Sequence, residues 1–116
     1  MVDYPASQCA LAQVRGDGDG HPVAERFELY LGPVELANGY HELRDAAEQA
    51  ARFARDGDVR RGRDASLPPT DTHLIAALES GLAACAGVAL GVDRLLMAML
   101  ATPRIADVLA FDFPRA

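Results

Sequence analysis

Tryptophan is absent from this sequence, and aromatic residues make up only 6% of its 116 positions. Half of the residues are hydrophobic, but alanine supplies many of them. The core therefore has few large side chains to fill it, and a chain this short leaves a large share of its surface exposed. Cysteine is scarce too. Cys9 and Cys85 lie far apart and in no metal-ligand spacing, which favours two free, buried thiols in a cytosolic protein over a disulfide. His21, His41 and His73 are scattered, so no zinc motif is present. No apolar run is long enough to span a bilayer, and a basic-then-apolar leader is lacking, so a cytoplasmic location without a membrane partner is expected. The net charge of −6 argues against direct binding to a nucleic-acid backbone. What remains is one small domain.

The informative stretch is Arg26 to Leu43. Phe27, Leu29 and Leu31 alternate with Glu28 and Tyr30, the period of a half-buried strand. Gly32-Pro33 breaks it, and Val34 to Ala37 resumes an extended pattern, so the pair reads as a hairpin. Glu35 and Glu42 are seven positions apart and would face opposite ways in a continuous strand. Both carboxylates reach one site only if the chain bends between them. Asn38-Gly39 is the expected bend, because Gly tolerates positive φ freely and Asn nearly so. Two acids, an amide and the aromatic Tyr40 suit the wall of a pocket for a cation. The same pattern also suits a hairpin with solvated acids.

Elsewhere the chain reads as follows. Met1 to Pro5 is an irregular lead-in, Ser7 to Val14 a candidate strand, and Arg15 to Pro22 a loop. Asp45-Ala-Ala-Glu48 resembles a capping box, opening a helix from about Ala46 to Asp56 with Gly57 as its C-cap. Arg52, Arg55, Arg60, Arg61 and Arg63 form a basic surface, either a solvated face or a dock for an acidic macromolecule. Leu67-Pro-Pro-Thr70 ends a loop and caps a helix with Leu74, Ile75, Leu78 and Leu82 inward. Ala86 to Gly91 is a buried strand whose glycines admit another group close to the backbone. Val92-Asp-Arg94 opens a helix burying Leu95, Leu96, Met99 and Leu100. Thr102-Pro103 restarts a short helix with Ile105, Val108 and Leu109 inward. Phe111, Phe113 and Pro114 close against the core.

Arg94 is the second informative residue. A cation in a helix's first turn opposes the macrodipole by about 0.3–1 kcal/mol. It is either an Asp93–Arg94 surface pair or, beyond a glycine-broken strand, a holder of phosphate.

Together these segments resemble the end of a class II aminoacyl-tRNA synthetase catalytic domain of the lysyl type. Gly87-Val-Ala-Leu-Gly-Val-Asp-Arg94 is similar to the third signature motif of that class. Glu35-Leu-Ala-Asn-Gly-Tyr-His-Glu42 is similar to the segment that holds lysine and ATP–magnesium. The resemblance runs from about Pro5 to Ala116. Within the class it points to the branch that acylates a protein, elongation factor P, with (R)-β-lysine. Pro5-Ala-Ser-Gln with Leu11-Ala-Gln13, Ala37 with His41, Ala89, and the end at Ala116 all match that branch. A fragment of a lysyl-tRNA synthetase and a non-catalytic remnant or binding module are the alternatives.

The resemblance implies a role for each matching position. Glu35 coordinates ATP-bound magnesium, and Leu36 and Gly91 contact ATP through the backbone. Arg94 serves the phosphate end of the nucleotide as the catalytic arginine. Glu42 pairs with the substrate ammonium group and is a second candidate acid at the metal. Asn38, Tyr40 and Ala89 complete the amino-acid pocket. The implied cofactors are ATP and Mg2+, and the implied substrate is (R)-β-lysine or lysine. Elongation factor P is the acceptor and transfer RNA is not expected. The first two class II motifs are missing, so the chain is expected to be the C-terminal part of the domain, inactive alone and self-associating through open strand edges. The expected fold is α+β, an antiparallel β-sheet of four or five strands flanked by helices mainly on one face.

Overall fold

The structure, a computed structural model, describes residues 1 to 115. Five strands form one antiparallel sheet: β1 (Val2–Pro5), β2 (Val14–Gly16), β3 (Pro22–Leu31), β4 (Val34–His41) and β5 (Ala86–Leu90). The order is β1-β3-β4-β5, and β2 pairs with the start of β3. Three helices follow the hairpin or flank β5: α1 (Ala46–Gly62), α2 (Thr72–Glu79) and α3 (Val92–Met99). This is the α+β architecture that the alternating and helical patterns indicate.

The β3–β4 hairpin turns at Gly32, whose φ of +56° followed by proline suits a two-residue II′ loop. Its register holds one irregularity. Leu29 faces Ala37 and Tyr30 faces Glu35, so Leu36 is an extra residue in β4. That β-bulge shifts the alternation by one position. Asn38-Gly39 is not the bend. Both residues lie inside β4, paired to β3 and β5, and neither has a positive φ. Glycine is required at position 39 because the Phe27 ring crosses it. A Cβ there would lie 2.5 Å from Phe27 Cε1 and 2.8 Å from the Gly87 carbonyl oxygen.

Several segments depart from the sequence reading. Met1 to Pro5 is not irregular: Val2–Pro5 pairs with β3, and its four residues are too few to display a period. Ser7 to Val14 is not a strand. Ala6–Gln8 is a 3-10 turn, and only Ala12 bridges to Glu42 before β2 begins. Helix α1 does not stop at Asp56. Gly57 costs about 1 kcal/mol against alanine in a helix, yet the helix continues to Gly62, with Arg60 and Arg61 opposite its C-terminal dipole. Its N-cap is Asp45, accepting from the Glu48 N–H at 2.9 Å. The α2 cap is Asp71 rather than Thr70, bonded to the Leu74 N–H at 2.9 Å. Ile105–Asp107 is a 3-10 turn rather than a restarted helix.

The buried core is small and sits at one end of the sheet, where Tyr4, Ala12 and Ala24 pack with Cys9 and Tyr40. Arg52 of α1 ties that end together by donating to the carbonyls of Ala10 and Ala12, at 3.0 and 2.8 Å. The thiols of Cys9 and Cys85 are free but only half-buried. The other sheet face is apolar and bare. Phe27, Leu29 and Leu31 of β3, Val34 of β4, and Val88 and Leu90 of β5 are between 36% and 62% exposed. Strand β5 is therefore not a buried strand. Met99, Leu100, Ile105, Phe111 and Phe113 are exposed as well, because nothing among the described residues packs over them.

Gly39→Ala is expected to lower unfolding stability by about 1–3 kcal/mol, the usual cost of overpacking. Urea denaturation of the two proteins checks it. Trimming Phe27 to leucine in the same chain recovers only part of the loss, since the Gly87 carbonyl still opposes the new methyl.

Candidate functional site

The bulge at Leu36 gives β4 one polar face. Past it, Glu35, Asn38 and Tyr40 stand opposite Tyr30, Glu28 and Arg26 of β3, respectively. On the other side Asn38 faces Ala89 and Tyr40 faces Gly87. Glu42 follows two positions after Tyr40 and keeps the same side. Its carboxylate lies across Gly87, where a Cβ would fall 2.3 Å from Oε1. That is the close approach that a glycine in this strand foretells. The Glu42 backbone is fixed on both sides: its N–H donates to Cys85 at 3.0 Å, and its carbonyl accepts from Gln13 Nε2 at 3.0 Å.

The far end of β4 carries the second group. The Leu36 carbonyl accepts from Gly91 N–H at 2.8 Å, joining the bulge to the start of α3. Arg94 Nη1 donates to the Glu35 carbonyl at 2.8 Å. A Cβ on Gly91 would meet Arg94 Cδ at 3.3 Å, so the glycine lets the arginine fold back to the strand. Among the described residues no carboxylate pairs with Arg94, and the guanidinium stays exposed beside Glu35.

Glu35 and Glu42 thus share a face but not a position. Six strand steps remain between them after the bulge, on the order of 20 Å at strand rise. The two carboxylates do not converge on one ion, so Glu42 does not join Glu35 at a metal. Among the described residues no three His, Cys, Asp or Glu side chains cluster for a metal ion. The second carboxylate at the Glu35 end is Glu28, in the sequence no more than the outward member of an alternating strand. Tyr30, directly opposite Glu35, places its hydroxyl on Glu28. The period-two pattern already put Glu28 on the face of Tyr30; only the register with Asn38 was missing.

Glu28 is buried to 6% exposure and accepts from three donors: Tyr4 Oη at 2.6 Å, Tyr30 Oη and the Arg26 guanidinium. The hydrogen bonds from Tyr30 and Tyr4, helped by the charge of Arg26, hold its pKa below the usual carboxylate value. In return the bond to Glu28, burial and the carboxylate charge push Tyr4 up to about 12. Tyr30 is raised by the same bond, by burial, and by the charges of Glu28 and Glu35. Arg26 lies over the Tyr4 ring at 4.6 Å and the Tyr40 ring at 5.8 Å.

Of the branch-marking positions on β4 and β5, Ala89 lines this face, beside Asn38. Ala37 is buried on the apolar side between Leu29 and Leu90. His41 also lies on that side, its Nδ1 2.5 Å from Glu25 Oε2.

The family model of class II tRNA synthetases (D, K and N) matches residues 1–115 of this chain. Curated relatives match along its whole length. The elongation factor P–(R)-β-lysine ligase of Vibrio cholerae is 54% identical over 116 residues, that of Salmonella arizonae 52%, and that of Klebsiella pneumoniae 50%. In each case those 116 residues are 100% of this chain and 35% of the relative. The chain therefore spans about a third of the length of these ligases.

The Glu28 cluster has two pH limits. Its lowered carboxylate pKa contributes stability above the unfolded value, and that stability is lost as pH falls through the folded pKa. The raised Tyr4 phenol contributes stability below pH 10, which is lost as pH rises toward about 12. Phenolate absorbance is expected to show Tyr4 and Tyr30 titrating late, and Glu28→Gln to bring both transitions down toward 10. Unchanged transitions in that variant contradict the hydrogen-bond assignment.

Proposed function

We propose, from the premise that this chain belongs to the class II tRNA synthetase family (D, K and N), that it is the C-terminal portion of a ligase domain. That ligase activates (R)-β-lysine with ATP and passes it to a lysine of elongation factor P. The observation that carries the reading is the single polar face of β4. One end offers Glu42 laid over Gly87; the other offers Glu35, Glu28, Gly91 and Arg94. An ammonium group suits the first end and a polyphosphate with its cation suits the second.

The donor set fits that assignment. Glu35 and Glu28 are oxygen ligands of the kind that hold Mg2+, which when bound screens phosphate charge. Leu36 and Gly91 supply backbone at the nucleotide, and exposed Arg94 neutralises charge on its phosphates. At the amino-acid end Glu42 takes the ammonium, Asn38 the polar head and Tyr40 the aliphatic stem. The substrate carboxylate oxygen attacks the α-phosphorus, the bond to pyrophosphate breaks, and an acyl-adenylate forms. The amine of the acceptor lysine then attacks the acyl carbon and AMP leaves. No side-chain nucleophile is required, so catalysis is positioning and electrostatics.

Ala89 supports β-lysine over lysine. It stands beside Asn38 where the resembling synthetases carry glycine, and its methyl narrows the pocket floor beneath a displaced amino group. Ala37 and His41, on the opposite face, have no part in that choice.

Two measurements test this reading. The 116 residues, exchanged for their counterpart in the Vibrio cholerae ligase, are expected to give β-lysine-dependent ATP–pyrophosphate exchange. Arg94→Ala in that hybrid should lower kcat about 10²–10³-fold, and Glu42→Gln should raise KM for the amino acid. Exchange driven better by lysine, with transfer to tRNA, assigns the chain to a synthetase instead. The chain alone is expected to show no exchange, and its bare β3–β4–β5 face to drive self-association. Light scattering that gives a monomer at high concentration, or Leu29→Asp that leaves an oligomer intact, contradicts the second expectation.

A further inference from the structure

Arg26 holds more of this face together than any residue assigned a role above. It sits on β3 directly opposite Tyr40, and its side chain is 18% exposed. The guanidinium does three things at once. Nη1 donates to the Gln8 carbonyl at 3.0 Å, anchoring the Ala6–Gln8 turn. Nη2 donates to the Glu28 carboxylate. The planar group lies over the rings of Tyr4 and Tyr40, at 4.6 and 5.8 Å. Its Nε is buried without a partner, so the fork is held by these contacts against a lost hydrogen bond. A group that accepts such a cost is kept for its geometry.

The geometry points to Arg26 as a positioning residue that couples the two ends of the site. One contact fixes Tyr40, the aromatic proposed for the amino-acid stem. The other fixes Glu28, the carboxylate beside Glu35 at the nucleotide end. Tyr40 and Glu28 have no bond to each other, and Arg26 is the link between them. The fork and flat face are specific to arginine; a lysine at this position keeps the charge but can neither span Gln8 and Glu28 nor stack on two rings. The inference rests on the functional reading above for what Tyr40 and Glu28 contact, but not for the link itself.

Two experiments separate the link from that reading. In the 116-residue chain, Arg26→Lys is expected to move the ring resonances of both Tyr4 and Tyr40 in NMR spectra. Arg55→Lys, another arginine of the same cleft, should move neither. Tyr40 resonances that stay in place overturn the proposal whatever the activity. In the Vibrio cholerae hybrid, Arg26→Lys should lower kcat/KM for the amino acid about 10²-fold, the order that a misplacement near 1 Å costs, with Arg55→Lys unchanged. Arg26→Lys combined with Glu28→Gln should be no worse than Glu28→Gln alone, because the two act as one unit. Multiplicative losses, or a lower Tm with unaltered kinetics, reduce Arg26 to a structural residue. A parent hybrid without exchange refutes the ligase reading and leaves the NMR result to decide the link.

Discussion

One extra residue in β4 organises this molecule. Without Leu36 as a bulge, the strand's strict alternation would send Glu35 and Glu42 to opposite sides of the sheet. With it, acids at both ends of the strand face one way. On the other side of β4 the Leu36 carbonyl accepts from Gly91 N–H, extending the β4–β5 register to the start of α3. The bulge sets the face of the site, and the undistorted β4–β5 register, with Arg94 on the Glu35 carbonyl, docks the helix beside it. A bulge beside a functional site is a common use of the device, since it re-aims side chains without interrupting the ladder.

The glycines serve the two faces of the sheet separately. Gly39 leaves room on the apolar side for the Phe27 ring, and Gly87 leaves room on the polar side for the Glu42 carboxylate. They are neighbours across β4 and β5, and neither needs an unusual φ. Their absent side chains let a strand-thick layer carry an aromatic ring on one side and a carboxylate on the other. Substituting either would disturb the opposite face as well, because the Gly87 carbonyl is itself one of the walls around Gly39.

The hairpin, the Asp45 cap and the helix at Arg94 were legible because they depend on short-range patterns, whereas β1 and β2 were too short to show one. The close approach at Gly87 was legible for the same reason: glycine in an apolar strand has few other uses. What the sequence concealed depends on register and on length. Asn38-Gly39 carries the residues that favour a turn, whereas the irregularity falls at Leu36, a residue with no turn signal. Gly57 looked like a helix end, but the arginines beyond it carry the helix onward. Glu28 looked solvated because one strand read alone does not reveal Asn38 opposite it or Tyr4 above it. The expected burial of β5, Met99 and Phe113 failed because apolar character marks a face to be covered, not what covers it.

One compositional fact bears on the chemistry. All eleven basic residues are arginine, and the chain contains no lysine. Guanidinium stays protonated at any working pH and is not nucleophilic, whereas a lysine amine deprotonates readily when its surroundings exclude water. An acyl-adenylate reacts with whichever free amine is nearest. On the function proposed here the acceptor is itself a lysine, so a lysine near Glu42 or Arg94 would compete with it. Arginine provides positive charge for carboxylates at Arg26 and Arg52 and, on the same proposal, for phosphate at Arg94. It does so without placing a second acyl acceptor beside the first.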